Sequence, residues 1–143
     1  MPRSRRSRSS REGSGVDDML EEAHARGVRV AWRDLGRRNG EYHSTGLILL
    51  NPRRSESVQR VTLAHELGHA HYGHGWTDDR AIRERYERLA DEHAARLLIR
   101  AGEYAVAESV VGPHVGAIAR ELGVTTKIVE AWQRVVDRTR RTA

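Results

Sequence analysis

The pentapeptide His-Glu-Leu-Gly-His at residues 65–69 constrains this chain more than any other feature of its sequence. It stands in a stretch, 55–72, whose apolar residues recur at helical spacing. Residues four apart lie on one face of an α-helix, so His65 and His69 can present both imidazoles to one metal ion. The motif therefore predicts a helix that carries two ligands of a metal site. The alternative is a surface helix with two unrelated histidines, and the apolar Leu67 between them argues against it.

The absence of cysteine restricts how such a site can be completed. Disulfides, thiolate nucleophiles and cysteine-based zinc sites are excluded, which leaves histidine and carboxylate side chains as strong ligands. Residues 79–100 show a second helical pattern, in which Glu87, Ala90 and Asp91 share one face. Because alanines on that face allow close packing against the first helix, we predict Glu87 as the third metal ligand. Asp91 then lies beside the site, where its carboxylate can accept a hydrogen bond from the outer ring nitrogen of a ligating histidine.

Other histidines and carboxylates near these positions are weaker candidates. Glu92 and His93 point about 100° and about 200° around the helix from Asp91, and we predict both to be exposed. His71 and His74 follow the motif, but offsets of two and five residues rotate them away from its metal-binding face. Their expected role is packing or capping. Three isolated histidines are assigned surface or structural roles: His24, His43 and His114.

The position of Glu66 in the motif indicates which reaction the site catalyses. It follows His65 directly, so its carboxylate lies beside the metal, where it can take a proton from metal-activated water and later deliver one to the leaving amine. This is peptide hydrolysis with Zn²⁺ as the cofactor. The small residues Gly68 and Ala70 allow a neighbouring backbone to approach the helix. The sequence does not choose the group that stabilises the oxyanion among four residues: Tyr42, Tyr72, His74 and Tyr86.

The remaining patterns predict the fold class. Residues 16–26 carry apolar side chains at helical spacing, and 28–35 alternate apolar and polar residues as a half-buried strand does. After a Gly-Arg-Arg-Asn-Gly turn, a second strand segment culminates in Leu47–Leu50 and is expected to be buried on both faces. Ser55 or Ser57 can cap the HELGH helix. This order indicates an α+β fold that is mostly helical, with a short few-stranded sheet packed against the HELGH helix.

Residues 104–143 are predicted to form a helical segment that resembles a helix-turn-helix, with two helical patterns on either side of Gly123. Such a helix would read DNA with polar side chains, and the candidates here are Thr125, Thr126, Lys127 and Glu130. Weak DNA contact and a structural or substrate-docking role both stay open. The predicted domain division is therefore 16–103 for the metal-binding domain and 104–143 for the helical segment.

The net charge of +5 suggests a nucleic-acid partner, but the charge is concentrated at the two ends of the chain. Residues 1–15 are predicted to form a disordered basic tail, either a solvated segment or an arm that contacts nucleic acid. Lys127 is the single lysine among 25 basic residues, a bias that indicates a GC-rich genome. No long apolar run and no secretory signal occur, so we expect a cytoplasmic protein with no membrane-spanning segment.

These motifs resemble a known family. The segments TLAHELGHAHYGH and ERLADEHAARLLI are similar to the ImmA/IrrE metallopeptidases, which are found in prophages, mobile elements and bacterial stress regulators. The resemblance spans residues 28–100 and implies a zincin-like domain with His65, His69 and Glu87 as zinc ligands. It further implies Glu66 as the general base. It also implies a protein substrate, a helix-turn-helix repressor, and a gene carried by a phage or another mobile element.

Two classes of function follow from these patterns. The leading hypothesis is a regulatory zinc metallo-endopeptidase, and the alternative is a zinc-stabilised DNA-binding or sensor module without peptidase activity. Structural zinc sites normally close with four protein ligands. The sequence offers three ligands and a neighbouring carboxylate, which leaves one position for water and favours catalysis. His93 and the Ile99-Arg100 pair depart from the family pattern, and this bears on the subfamily more than on catalysis.

Overall fold

The computed structural model of the protein describes residues 15–142, so the predicted basic tail lies outside the described residues except for Gly15. Within this range the chain is mostly helical with a small sheet, which confirms the predicted α+β class. None of the helices described there has the length and apolar character needed to cross a membrane. The elements are α1 Asp17–Ala25, β1 Arg29–Trp32, β2 Gly40–His43, β3 Leu47–Leu50, α2 Glu56–Tyr72, α3 Arg80–Leu98, α4 Ala101–Val111, α5 Val115–Leu122 and α6 Thr126–Thr142.

The sheet has the strand order β1-β3-β2. The central strand β3 is parallel to β1 and antiparallel to β2, and its apolar run, Leu47–Leu50, is largely buried, as predicted. The segment before it differs from the prediction, because residues 40–50 form two strands and not one. Gly46 adopts φ +85°, a conformation open to glycine at little cost, and the chain reverses there. As a result β2 becomes an antiparallel neighbour of β3 at the edge of the described sheet.

Helix α2 lies between the sheet and α3. It begins at a cap in which the backbone N–H of Val58 donates to Ser55 Oγ at 3.3 Å, and it ends at Gly73 in a left-handed conformation. Leu63 and Leu67 are fully buried in the main core. This packing holds the HELGH segment rigidly along one side of the molecule.

Close contact between α2 and α3 depends on Gly68. A Cβ atom at this position would lie 2.7 Å from Ala90 Cα and 2.8 Å from the Ala90 carbonyl oxygen. Both atoms belong to the backbone and cannot rotate away. The two helices therefore cross where neither has a bulky side chain, as the small residues in the motif predict, and the side chains on either side of the crossing face each other.

The C-terminal helices share the core of the rest of the chain. Ile128 and Ala131 of α6 are buried in the same cluster as the core residues of α2 and β3, while α4 and α5 add a smaller cluster around Ile118. Helix α4 was not predicted as a separate element. It follows a short extended segment at Ile99 and Arg100. The predicted domain boundary after residue 103 falls inside α4.

The prediction that Glu92 is exposed is wrong. Its side chain is only 5% exposed and pairs with two arginines of α6, with Arg134 Nε at 3.2 Å and Arg138 Nη2 at 2.6 Å. Burial acts to raise the pKa of Glu92, but the hydrogen bonds from Arg138 and Arg134 outweigh it and hold the pKa below its usual range. The sequence predicted that this face of α3 is exposed to solvent, but α6 covers it. The ion pairs between Glu92 and the two arginines stabilise the contact between α3 and α6.

His93 is also not exposed as predicted, but half-buried. Arg26 Nη1 donates to its Nε2 atom at 2.8 Å, and its ring stacks on His71 with the centroids 4.4 Å apart. Because a guanidinium can only donate, His93 accepts this bond in its neutral form. Burial, together with the positive charge of Arg26, lowers the pKa of His93 to about 4.

The low pKa of His93 predicts a specific loss of stability in acid. The folded state resists protonation of this ring down to about pH 4, whereas the unfolded state takes up the proton near its ordinary value of 6.5. The unfolding free energy should therefore fall as the pH drops from 6.5 to 4, by at most about 3 kcal/mol from this residue. His93→Gln, which keeps an acceptor for Arg26 but does not titrate, should show a shallower fall in denaturant unfolding. Parallel pH profiles for the two proteins would contradict the assignment.

Candidate metal centre

Three side chains from α2 and α3 converge at the crossing of the two helices. The Nε2 atoms of His65 and His69 lie 3.1 Å apart. The Glu87 carboxylate bridges them, with Oε2 3.0 Å from His65 Nε2 and Oε1 3.1 Å from His69 Nε2. The i, i+4 spacing on α2 supplies the two imidazoles, and the close approach at Gly68 brings the carboxylate within reach. These three residues form a group of ligand atoms that could hold a metal ion.

The spacing of these atoms fits a tetrahedral ion. Bonds of about 2.0–2.1 Å, the lengths that zinc makes to histidine and carboxylate, place neighbouring ligand atoms about 3.3 Å apart. The separations in this cluster fall just short of that value, so little movement is needed to hold an ion. The donor set of two imidazoles and one carboxylate also suits a divalent metal ion that is intermediate between hard and soft, such as zinc.

Asp91 sets the tautomer of His65. The carboxylate oxygen Oδ1 lies 2.8 Å from His65 Nδ1 and can only accept, so Nδ1 carries the proton. The lone pair of the neutral ring is then on Nε2, which points at the Glu87 carboxylate and the His69 ring. Electron-pair donors that face one another in this way require a cation between them. The contacts of His65 therefore favour either a second proton or a metal ion.

The electrostatics of the cluster support the same conclusion. Burial lowers the pKa of His65, but hydrogen bonds to Asp91 and Glu87 and the charge of Glu66 outweigh it and raise the pKa to about 10. Hydrogen bonds from His65 and His69 hold the pKa of Glu87 far below its usual range. The site thus favours positive charge strongly, and a divalent cation would bind by displacing a proton.

Glu66 lies next to this cluster without belonging to it. Its side chain is buried, with 8% of the residue exposed, yet it lines the same cleft as His69 and Glu87. Burial raises the pKa of the Glu66 carboxyl, although the neighbouring His65 and His69 counteract part of that effect. A carboxylate held at the edge of the ligand group is placed to accept a proton and to return it.

The cleft above the cluster has a volume of about 1040 Å³. It is bounded by β2, the segment after α2, and faces of α3 and α6. Of the four residues considered for stabilising the oxyanion, Tyr42, His74 and Tyr86 line this cleft, and Tyr72 is not among its lining residues. The position of the cleft therefore leaves three candidates for stabilising the oxyanion: Tyr42, His74 and Tyr86.

His74 makes a contact that the sequence did not predict. Its Nδ1 atom lies 2.9 Å from His69 Nδ1, and its ring stacks on Tyr86 with centroids 3.8 Å apart. Gly73, at φ +65°, turns the chain so that the His74 N–H donates to the His69 carbonyl at 3.0 Å. Packing and capping were the expected roles, but the contact between the two rings was missed. The signal in the sequence is a glycine able to end the helix, followed at once by histidine.

The contact with His69 gives His74 a place in the site beyond packing. Burial and the neighbouring His69 lower the pKa of His74, which favours its neutral ring, and the neutral ring can accept a hydrogen bond from the N–H of His69 at Nδ1. That arrangement leaves His69 Nε2 free to bind a cation. His24 and His114 are exposed and lie outside the site, while His43 contacts Glu41 on the cleft wall.

Comparison with protein families identifies the chain. The model of the IrrE N-terminal-like domain, Peptidase_M78, matches residues 23–131, which is more than half of the sequence. The chain belongs to this family. The match confirms the resemblance to ImmA/IrrE proteins and supports a peptidase that acts on a protein substrate. The IrrE N-terminal-like domain here runs from α1 into α6 and includes all five residues of the predicted site. A comparison with curated proteins gave no match.

Proposed function

We propose that the protein is a zinc-dependent, regulatory metallo-endopeptidase in which His65, His69 and Glu87 hold the metal. The observation that supports the proposal is the convergence of these three ligands, two of which, His69 and Glu87, line an open cleft together with the buried carboxylate of Glu66. Membership of a peptidase family supports the same reaction class. Three protein ligands leave a tetrahedral ion one position for a non-protein group, which is the pattern of catalytic zinc.

Each residue then has a defined task. Zinc would supply a Lewis acid that polarises the scissile carbonyl and makes water nucleophilic near neutral pH. Glu66 accepts a proton from the attacking water and returns one to the amine as the C–N bond breaks. Asp91 holds the His65 ring through Nδ1, and His74 does the same for His69. Both partners keep the Nε2 atoms aimed at one point.

The wall formed by β2 supports a peptide as the substrate. Gly40 passes close to α2, since a Cβ there would lie 2.5 Å from Thr62 Cγ2, and the next residues of β2 line the cleft. In the described sheet β2 pairs on one side only, with β3. Its free edge can form backbone hydrogen bonds with an extended substrate segment that lies across the metal centre. An open cleft of this kind is compatible with cleavage inside a chain.

Asp91→Asn tests the supporting role of that carboxylate. An amide can still contact Nδ1 but carries no charge, so zinc affinity should fall by about 10–100-fold. Competition with a chromophoric chelator measures the change in the purified full-length protein. Glu84→Gln, an exposed carboxylate one turn before Glu87 on the same helix, is the matched control and should bind zinc as the wild type does. Equal loss in both variants would point to a general charge effect instead.

The substrate we propose is a DNA-binding repressor of the helix-turn-helix type, as the resemblance to ImmA/IrrE proteins implies, in a phage or mobile-element setting. The test compares new protein N-termini in a native host that expresses either the wild type or Glu66→Gln. A cleavage within such a repressor that appears only with the wild type would support the proposal. Identical profiles from two folded, metal-loaded proteins would contradict it.

The second candidate, a zinc-stabilised DNA-binding or sensor module, draws on the helix-turn-helix arrangement of α5 and α6 around Gly123. The first turns of α6 would read DNA in that case. Here Lys127 and Glu130 on those turns line the metal cleft, so DNA and substrate would compete for the same space. Activity in the host that is unchanged by Glu66→Gln would favour this candidate.

A further inference from the structure

Charged side chains on the walls of the cleft are unequally distributed. Away from the metal centre the lining contains six basic residues against three carboxylates, Glu41, Glu84 and Glu130. Three of the basic residues are already paired, Arg38 with Glu41, Arg80 with Glu84, and Arg134 with Glu92. The other three are Arg83, Arg88 and Lys127.

These three cations have no acidic partner in the described part of the chain. Among residues 15–142, no carboxylate oxygen lies within 4.0 Å of a charged nitrogen of Arg83, Arg88 or Lys127. All three are exposed, so they remain hydrated and available to a ligand. Glu130 is the one lining carboxylate of the walls that is likewise without a partner there. The walls therefore carry surplus positive charge.

The three unpaired cations lie in the same cleft as the metal centre. Arg83 precedes Glu87 by four residues on α3, which places their backbones about 6 Å apart along the helix axis, and Arg88 follows Glu87 directly. Lys127 approaches from α6 on the far wall. All three side chains line the same cleft as His69 and Glu87, so a peptide bound there can contact them.

We propose that the cleft selects peptide segments with acidic residues close to the scissile bond, recognised by Arg83, Arg88 and Lys127. This inference rests on the proposed function and names the class of substrate. Arginine and lysine side chains pair with carboxylates in partly open sites, and unpaired wall charges contribute more to selection and encounter than to raw affinity. The exposed Trp76, 89% accessible at the mouth of the same cleft, adds an aromatic surface for an apolar neighbour of the acidic residue.

An acidic peptide fits this cleft better than a nucleic acid does. The continuous phosphate charge of a nucleic acid would have to pass Glu66 and Glu130, two lining carboxylates that do not bind the metal in the proposed function. A peptide can place single carboxylates opposite the cations and neutral backbone opposite the acids. The mixed lining thus favours discrete negative charges over a polyanion.

The test measures binding separately from cleavage. Three fluorescently labelled pools of short peptides, identical except for Glu, Gln or Lys at the varied positions, are titrated with zinc-loaded, full-length Glu66→Gln protein. The Glu pool should bind about tenfold more tightly than the Lys pool, and the difference should shrink at high ionic strength. Adding Arg83→Glu or Lys127→Glu should weaken binding of the Glu pool about fivefold each. Arg85→Glu, an exposed arginine on α3 outside the cleft lining, should not change it.

The outcomes separate the two proposals. Equal affinity for the three pools, or an equal effect of Arg85→Glu, would overturn the acidic preference. Tighter binding of single-stranded DNA than of the Glu pool, lost in the same variants, would overturn it in favour of nucleic acid. Charge-selective binding together with no cleavage of any pool by the wild-type protein would support the preference and count against the peptidase. If a charge reversal disturbs α3, Arg83→Gln tests the same contact with a smaller expected loss.

Discussion

Replacing Glu66 by glutamine should lower the rate of peptide cleavage by about a thousandfold. The amide has nearly the same shape as the carboxylate but cannot accept the proton of the attacking water. Zinc content and thermal stability should stay close to those of the wild type, because Glu66 is outside the ligand cluster and the variant removes a buried charge without creating a cavity. The measurement is the cleavage rate of an identified substrate, with zinc content and the unfolding curve determined on the same samples.

A matched control is available on the cleft wall. Glu84→Gln removes a carboxylate from the same cleft but not from the metal centre, and its rate should stay within about threefold of the wild type. A Glu66→Gln protein that retains zinc and cleaves its substrate at the wild-type rate would show that another group accepts the proton. The mechanism proposed for Glu66 would then be wrong.

Substituting Gly68 by alanine should damage both stability and metal binding. The added methyl group would meet the backbone of Ala90 at under 3 Å, so α2 and α3 must move apart. Overpacking of this kind typically costs about 1–3 kcal/mol, and the strain here falls on backbone atoms that cannot change rotamer. Separation of the helices also draws Glu87 and Asp91 away from the histidines. We expect a lower melting temperature and at least about tenfold weaker zinc binding.

The control for Gly68 is a second helical glycine with free space around it. Apart from its chain neighbours and its own helix backbone, no atom of the described residues lies within 4 Å of the ideal Cβ position of Gly116 in α5, so Gly116→Ala should be neutral or stabilising by up to about 1 kcal/mol. Thermal unfolding with and without zinc compares the two variants directly. If Gly68→Ala is as stable as Gly116→Ala and binds zinc normally, the close crossing of α2 and α3 does not hold the site together.

The helical periodicity of the sequence was sufficient to predict helices α2 and α3 and the site residues Glu87 and Asp91. The helical spacing of residues 55–72 and 79–100 predicted α2 and α3 within two residues of their observed ends. The same spacing selected Glu87 and Asp91, and the structure brings both into contact with His65. Small residues at Gly68 and Ala90 indicated where the helices approach. These features depend on neighbours three or four positions apart, which a sequence displays directly.

Features that depend on distant parts of the chain were missed. Glu92 appeared to face solvent on α3, and only the packing of α6 shows that it is covered. His74 lies off the metal-binding face of α2, but the turn at Gly73 carries it back to His69. Strand β2 was merged with β3 because the reversal at Gly46 has a weak signal in the sequence. In each case tertiary contacts, and not local spacing, decide the outcome.

A crystal structure of the zinc-loaded, full-length protein, with the ion located by its anomalous scattering, tests the central claim most directly. The account predicts one zinc ion bonded to Nε2 of His65, Nε2 of His69 and a carboxylate oxygen of Glu87, with its remaining position open to the cleft beside Glu66. A fourth protein ligand that closes the site, such as His74, would contradict a catalytic centre and favour a structural zinc.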